Sequence, residues 1–324
     1  MHSISELQAI IKKAFDSASF SQEPADLYDP ITYTLNLGGK RIRPLLVLLG
    51  CDLFHGDIEK ARPAVLAIEL FHNFTLLHDD IMDRAPLRRG KETVYKKWNT
   101  NVAILSGDTM FALACEYLSQ ADPDVLPLAL SEFTRTARMV CEGQQYDMNF
   151  ETRKVVSIVE YLEMIRLKTA VLIGCSLKLG AIVAKAPPAE TAKIYSFGEN
   201  IGMAFQLQDD LLDVFGDEQK FGKEIGGDIL SGKKTFLLLK AYEIASEKER
   251  RELDQCFSDQ SFPAEEKIAR VKKVYHSLNI REITLEEIEK YFSKALQSCN
   301  GIHADEKSKK VLEMFANDLL KRDF

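Results

Sequence analysis

Two short acidic clusters constrain this chain more than anything else in it. His78-Asp79-Asp80-Ile81-Met82-Asp83 and Gln208-Asp209-Asp210-Leu211-Leu212-Asp213 share the pattern Asp-Asp-x-x-Asp. Both follow apolar residues at helical spacing, Leu76 and Leu77 in one case, Phe205 and Leu207 in the other. On a helix, Asp79 and Asp83 stand one turn apart on one face, as do Asp209 and Asp213. Like charges at that spacing repel, so each cluster costs stability unless a cation sits on it. One such cluster would ordinarily be a solvated helix face; two, alike in spacing and both in apolar helices, argue otherwise. Hard oxygens without a Cys or paired His beside them fit Mg²⁺, which keeps waters and takes one or two carboxylates plus phosphate oxygens.

The rest of the composition narrows the class. With 46% hydrophobic and 28% charged residues over 324 positions, the chain is too apolar for disorder. No linker-like stretch divides it, so residues 1–324 are expected to form a single domain. A net charge of −7 argues against nucleic acid as a partner. No apolar run reaches the length of a membrane span, and Met1-His2-Ser3-Ile4-Ser5-Glu6 lacks the basic start of a signal peptide. The six cysteines are scattered, and read as buried free thiols of a cytoplasmic protein.

Apolar residues recur at three and four, and strand alternation is scarce. The pattern predicts an all-α bundle, with helices over 4–18, 24–36, 44–53, 61–83, 101–119, 125–148, 157–184, 188–215 and 233–246, then 248–257, 263–278, 281–298 and 305–321.

Basic residues answer the acidic ones. Gly38-Gly39-Lys40-Arg41-Ile42-Arg43-Pro44 puts three cations at a helix start, an unfavourable place unless an anion lies among them. Arg88-Arg89-Gly90-Lys91 follows the first acidic cluster, and Arg forks suit phosphate oxygens. Lys168 and Thr169 lie inside an apolar helix, where a lysine more often snorkels than binds. Beyond Asp213, Gly222-Lys223 and Gly232-Lys233-Lys234 belong to a Gly-rich, Lys-bearing loop suited to closing over phosphates, without the spacing of a nucleotide loop. His72 lies two turns before Asp79, near its face. These are more cations than one metal-bound diphosphate needs. They imply two diphosphates, one on metal and one on Lys and Arg alone.

The chain resembles the trans-isoprenyl diphosphate synthases. The matching stretches are GGKRIRP (38–44), HNFTLLHDDIMD (72–83), LRRG (87–90), AILSGDTMF (103–111), EGQQYD (142–147), MIRLKTAVL (164–172), AFQLQDDLLDVFGD (204–217) and GKEIGGDILSGKKT (222–235). Glu92 and Tyr95 depart from the family's usual Pro and His, and Phe236-Leu237 follows the late Lys-Thr where a Pro is usual. The resemblance implies an isoprenoid-synthase bundle with two Asp-rich helices facing a central cavity, a homodimer, and Mg²⁺, three ions with substrate bound. It implies that Asp79, Asp83 and Asp209 bind the metal, supported by Asp80 and Asp213. Arg88, Lys168, Thr169, Gln206, Lys223 and Lys233 would hold the allylic diphosphate. Lys40, Arg43, His72 and Arg89 would hold isopentenyl diphosphate. Rival readings were a class I terpene cyclase, which needs no isopentenyl-side cations, a non-catalytic subunit of a heteromeric synthase, which needs no intact Asp motifs, and a ferritin-like metal bundle, whose Glu-x-x-His ligands are missing.

In the family, bulk four and five residues before the first Asp tends to stop chain growth. Here those residues are Thr75 and Phe74. One aromatic resembles the geranylgeranyl (C20) pattern more than the farnesyl (C15) one, with Phe71 a turn deeper as a second floor. An ideal helix, however, puts Phe74 nearly opposite the Asp79–Asp83 face.

Overall fold

The structure, a computed structural model, describes residues 2–216, 225–258 and 262–320. Its helices are α1 (Ile4–Asp16), α2 (Ala25–Asn36), α3 (Ile42–Leu53), α4 (Arg62–Met82), α5 (Val94–Lys97), α6 (Thr100–Leu118), α7 (Leu126–Thr152), α8 (Ile158–Ile165), α9 (Val171–Val183) and α10 (Pro188–Phe215). After these come α11 (Gly227–Ser231), α12 (Phe236–Ile244), α13 (Glu247–Ser258), α14 (Ala264–Ser277), α15 (Ile280–Asn300) and α16 (Glu306–Leu320). The all-α expectation holds, and most predicted helices end within a residue or two of where the pattern put them.

Local chemistry explains the boundaries. α1 and α8 both open on capping boxes, Ser3 with Glu6 and Ser157 with Glu160. α4 has Pro63 in its first turn, where a missing N–H is harmless. α6 is capped by the Asn99 side chain, which accepts from the Val102 N–H at 2.9 Å.

Three expectations are corrected. The break at Pro86–Gly90 contains a two-stranded hairpin, Leu87–Arg88 paired with Lys91–Glu92. Arg89 (φ 52°) and Gly90 (φ 72°) form its turn, the left-handed pair that matches strand twist. The helix expected over 157–184 is interrupted by a π-helical turn at Arg166–Ala170. And of the cysteines, expected to be buried, Cys141 is exposed and Cys115 half-buried; the other four are buried.

The described chain divides into two compact units. Of the described residues, those within 2–137, 175–195 and 303–308 form the first, and those within 138–174, 196–302 and 309–320 the second. In the first, α3 is buried from Pro44 to Leu53, and α4 packs along α6. In the second, a core of Tyr161, Met164, Leu207, Leu211, Leu237, Val271 and Tyr275 lies under the second acidic cluster. Among the described residues no helix is long and apolar enough to cross a membrane.

Candidate active site

In the first unit the acidic cluster sits at the C-terminal end of α4. Asp79 and Asp80 lie in the last turn and Asp83 is the C-cap. Carboxylates there meet the negative end of the helix dipole, which sharpens the demand for a cation. The three are not equivalent. Asp80 is 4% exposed, and its Oδ1 accepts from Arg88 Nε at 2.8 Å and pairs with Arg88 Nη2 at 2.7 Å. Arg88 Nη2 is also 3.7 Å from Asp79 Oδ2. Burial pushes the Asp80 carboxyl up, and the Arg88 contact only partly opposes it. Asp83 is exposed. The hairpin turn is therefore what folds Arg88 back onto the acidic helix.

The same turn sends Arg89 elsewhere. A side chain on Gly39 (φ 135°) would meet the Arg89 guanidinium at 2.8 Å, so only glycine lets Arg89 lie against the Gly38-Gly39 turn. Arg43, on the first turn of α3, donates from Nη1 to His72 Nε2 at 3.1 Å. Burial lowers Arg43 to about 10, with Arg89 repulsion adding and Glu69 opposing. Burial holds the His72 imidazole well below its ordinary range, and Arg43, Arg89 and Arg88 push the same way. Arg43, His72 and Arg89 thus form one cationic group around a neutral imidazole, as the sequence reading grouped them. Lys40 is exposed. Sequence reasoning missed Glu69, one turn before His72 and 6% exposed. Its Oε2 and Arg43 Nε are both buried without a hydrogen-bond partner. The only sequence signal was a lone Glu in the apolar run Ala67-Ile68-Glu69-Leu70-Phe71.

α4 is also fixed by His78. Its Nε2 lies 3.2 Å from the Ile104 carbonyl, and a Cβ on Gly107 would come within 2.4 Å of that nitrogen. Gly107 thereby admits the ring that precedes Asp79. Phe74 stacks on Phe111 at 5.5 Å and meets His78 edge-on at 4.8 Å. Phe71 is 1% exposed and touches Phe111 and Phe133 at 5.8 and 5.4 Å. The Thr75 hydroxyl is turned back to the His72 carbonyl at 2.7 Å. Phe74 therefore lies on the α6 side of α4.

In the second unit, the π turn carries Lys168 and Thr169. A π turn is a common device where a helix must re-aim a functional side chain. Two glycines clamp this one: a Cβ on Gly143 would come within 2.3 Å of the Lys168 backbone nitrogen, and a Cβ on Gly202 within 2.6 Å of Ala170 Cα. Arg166 pins the turn's start through Glu163 at 2.7 Å and Glu199 at 2.9 Å. Lys168 Nζ donates to Asp147 Oδ2 at 2.6 Å, and Thr169 Oγ1 to Gln206 Oε1 at 3.1 Å. Sequence reasoning missed Asp147, the last residue of the EGQQYD stretch.

The second acidic cluster divides as the first does. Asp209 and Asp213 are half-buried, whereas Asp210 is 3% exposed and hydrogen-bonded to Tyr161 and Gln206. Burial and Asp228 raise the Asp210 carboxyl, against Lys233 and its hydrogen bonds. Asp213 Oδ2 accepts from the Asp228 N–H at 3.0 Å, which ties it to the start of α11. Lys234 Nζ donates to the Phe150 carbonyl at 2.6 Å. Lys223 lies outside the described residues.

Among the described residues, no three His, Cys, Asp or Glu side chains group closely enough to cage a metal alone. Half-buried and exposed carboxylates at helix ends, with no soft ligand beside them, fit Mg²⁺ that completes its shell with water and phosphate.

The comparisons agree with this chemistry. The polyprenyl synthetase family model matches residues 24–278. A geranylgeranyl diphosphate synthase of Saccharolobus solfataricus is 39% identical over 292 residues, covering 88% of this chain and 87% of that protein. A geranylgeranyl pyrophosphate synthase of Geoglobus acetivorans is 42% identical over 242 residues, covering 74% and 76%. A crystal structure of a geranylgeranyl pyrophosphate synthase superposes with a TM-score of 0.95 at 45% identity, with both chains fully covered. With a family model spanning most of its length, the chain belongs to the polyprenyl synthetase family.

Proposed function

We propose that this protein is a short-chain trans-prenyltransferase that joins an allylic diphosphate to isopentenyl diphosphate and stops at geranylgeranyl diphosphate. The relatives' names support the product. The observation that carries the two-substrate reading is the Arg43–His72–Arg89 group, a second cationic site with no metal carboxylate among its members. A cyclase, which takes one diphosphate, has no use for it.

Asp79 and Asp83, supported by Asp80, are the metal carboxylates of the first unit; Asp209, supported by Asp213, serves in the second. Mg²⁺, up to three ions with substrate present, supplies the charge that lets the diphosphate leave. Lys168, Thr169, Gln206, Lys223, Lys233 and Arg88 hold the allylic substrate. Lys168 adds fixed positive charge where negative charge grows. Lys40, Arg43, His72 and Arg89 hold isopentenyl diphosphate, so that its double bond meets the allylic carbon in a set orientation. The new bond forms between those carbons, and a proton then leaves, with the departed diphosphate the nearest base. No side-chain nucleophile is needed.

Phe74, backed by Phe111, is the stop for the growing chain, with Phe71 beneath it. Residues 1–324 act as one catalytic domain in a cytoplasmic homodimer; Leu105 and Leu128, more than half exposed, are apolar surface for a second copy to cover. Incubation with Mg²⁺, farnesyl diphosphate and isopentenyl diphosphate, followed by product identification, tests the proposal. A C20 diphosphate supports it; a cyclic hydrocarbon or no turnover refutes it.

A further inference from the structure

A buried carboxylate stands inside the cationic group of the first unit, and the reaction above gives it no role. Glu69 is 6% exposed and lies one turn before His72 on α4. Burial raises its carboxyl, and Arg43, Asn73, Arg41 and Arg89 draw it back down. Glu69 is in turn the carboxylate whose charge both Arg43 and Arg89 feel. A buried carboxylate is costly unless cations offset it, and here three arginines do so.

Glu69 has the geometry of a counter-charge and not of a locked ion pair. A fork-on-fork pair with arginine needs both carboxylate oxygens. Glu69 Oε2 makes no hydrogen bond, and neither does Arg43 Nε. Arg43 Nη1 is turned instead to His72 Nε2, at 3.1 Å. Glu69 therefore acts on the arginines through its charge and leaves their donors for another anion. That charge works in opposite directions before and after substrate binds. With no diphosphate present, guanidiniums that keep their protons at neutral pH repel one another, as Arg43 and Arg89 do and as Arg41 and Arg89 do, and Glu69 offsets that repulsion. With a diphosphate present, Glu69 repels the ligand.

The reaction gives that repulsion a use. In the condensation the allylic diphosphate departs, so the product keeps the diphosphate that isopentenyl diphosphate brought. The product is thus held by the same cations, and they must let go of it before the enzyme can turn over. A site that grips its diphosphate too tightly is slow to release it. We propose that Glu69 is a positioning residue that sets the grip of the isopentenyl side: it keeps Arg43 and Arg89 together while no diphosphate is bound, and it weakens their hold so that the elongated diphosphate can leave. The inference rests on the prenyltransferase reading and deepens it. Loss of the carboxylate should then destabilise the free protein and yet tighten diphosphate binding.

The test is Glu69→Gln, which keeps the shape and removes the charge, beside Glu69→Asp, which keeps the charge. Wild-type elongation with Mg²⁺, farnesyl diphosphate and isopentenyl diphosphate is measured first, and tests the parent reading. Calorimetric titration with isopentenyl diphosphate, without Mg²⁺, tests the grip by itself. The Kd should be about fivefold or more tighter for Glu69→Gln and within about twofold of wild type for Glu69→Asp. The Tm of ligand-free Glu69→Gln should fall, because the arginines have lost their counter-charge. In the elongation assay, kcat and the KM for isopentenyl diphosphate should fall together, by about threefold or more, as release slows. A merely structural glutamate would lose stability and affinity together. Should Glu69→Gln fail to fold, the comparison moves to an Arg41→Gln background, which removes one of the repelling charges; there Glu69→Gln should tighten binding by the same factor. An unchanged or weaker Kd for Glu69→Gln, an equal tightening in Glu69→Asp, or an unchanged kcat would each overturn the proposal.

Discussion

Arg43 Nη1 lies 3.1 Å from His72 Nε2. A guanidinium has only hydrogens to offer, so the imidazole must accept there and carry its proton on Nδ1. Burial, with three arginines behind it, keeps His72 neutral and its pKa well below 6.5. The unfolded chain therefore protonates first. Stability from this group is complete above about pH 6.5 and falls as pH drops below that, at up to ~1.4 kcal/mol per unit, until the folded imidazole also protonates. His72→Gln removes the effect. Urea unfolding of both proteins at about pH 7.5 and about pH 5.5 should show the wild type losing ground to the variant at acid pH. A difference that stays constant with pH would mean that folding leaves the His72 pKa unshifted.

The two adjacent aspartates of the first cluster should respond oppositely to truncation. Asp79→Ala relieves like-charge repulsion, so stability without Mg²⁺ should be unchanged or higher while turnover is nearly abolished. Asp80→Ala instead strands the partly buried Arg88, at a cost of about 2–3 kcal/mol. Thermal unfolding without Mg²⁺, beside a turnover assay, separates them. An Asp79→Ala protein with wild-type turnover at saturating substrates would rule out the metal role.

Gly143→Ala should damage the allylic side without touching the isopentenyl side. Its Cβ would lie 2.3 Å from the Lys168 nitrogen and 2.7 Å from the Leu167 carbonyl carbon, backbone that cannot step aside without moving the π turn. A stability loss of about 1–3 kcal/mol is expected from overpacking. Turnover should drop about tenfold or more, for a displacement near 1 Å can cost more than that. Steady-state kinetics should show KM rising for the allylic substrate and not for isopentenyl diphosphate; an unchanged allylic KM would mean that the turn does not set that site.

Phe74 and Phe71 also part company. Phe74 is half-buried, whereas Phe71 is 1% exposed in the cluster with Phe111 and Phe133. Phe74→Ala should lengthen the product by at least one isoprene unit. Phe71→Ala should cost about 3–5 kcal/mol, the penalty of emptying a core aromatic site. Chromatography of the products decides it. If only Phe71→Ala lengthens the product, the stop lies one turn deeper.

What was legible in the sequence was whatever repeats at helical spacing or depends on residue type alone. The helix pattern located α4 and α10, and their carboxylates were plain. Arg43, His72 and Arg89 each stand in a separate motif, and the structure brings them near one another. What was not legible depends on contacts between distant residues. Arg166-Leu167-Lys168-Thr169-Ala170 reads like any helical turn; only the close approach of Gly143 and Gly202 marks it as different. The hairpin at Leu87–Glu92 has two residues per strand, too few for alternation to register. Glu69 and Tyr161 carry no pattern of their own, and their meaning comes from the charges and oxygens packed against them.

The most direct test of the central claim is the length of the wild-type product. With Mg²⁺, farnesyl diphosphate as starter and isopentenyl diphosphate in excess, chromatography of the dephosphorylated products should give one principal alcohol, C20. A principal product of C30 or longer, a cyclic hydrocarbon, or unreacted starter would contradict the account.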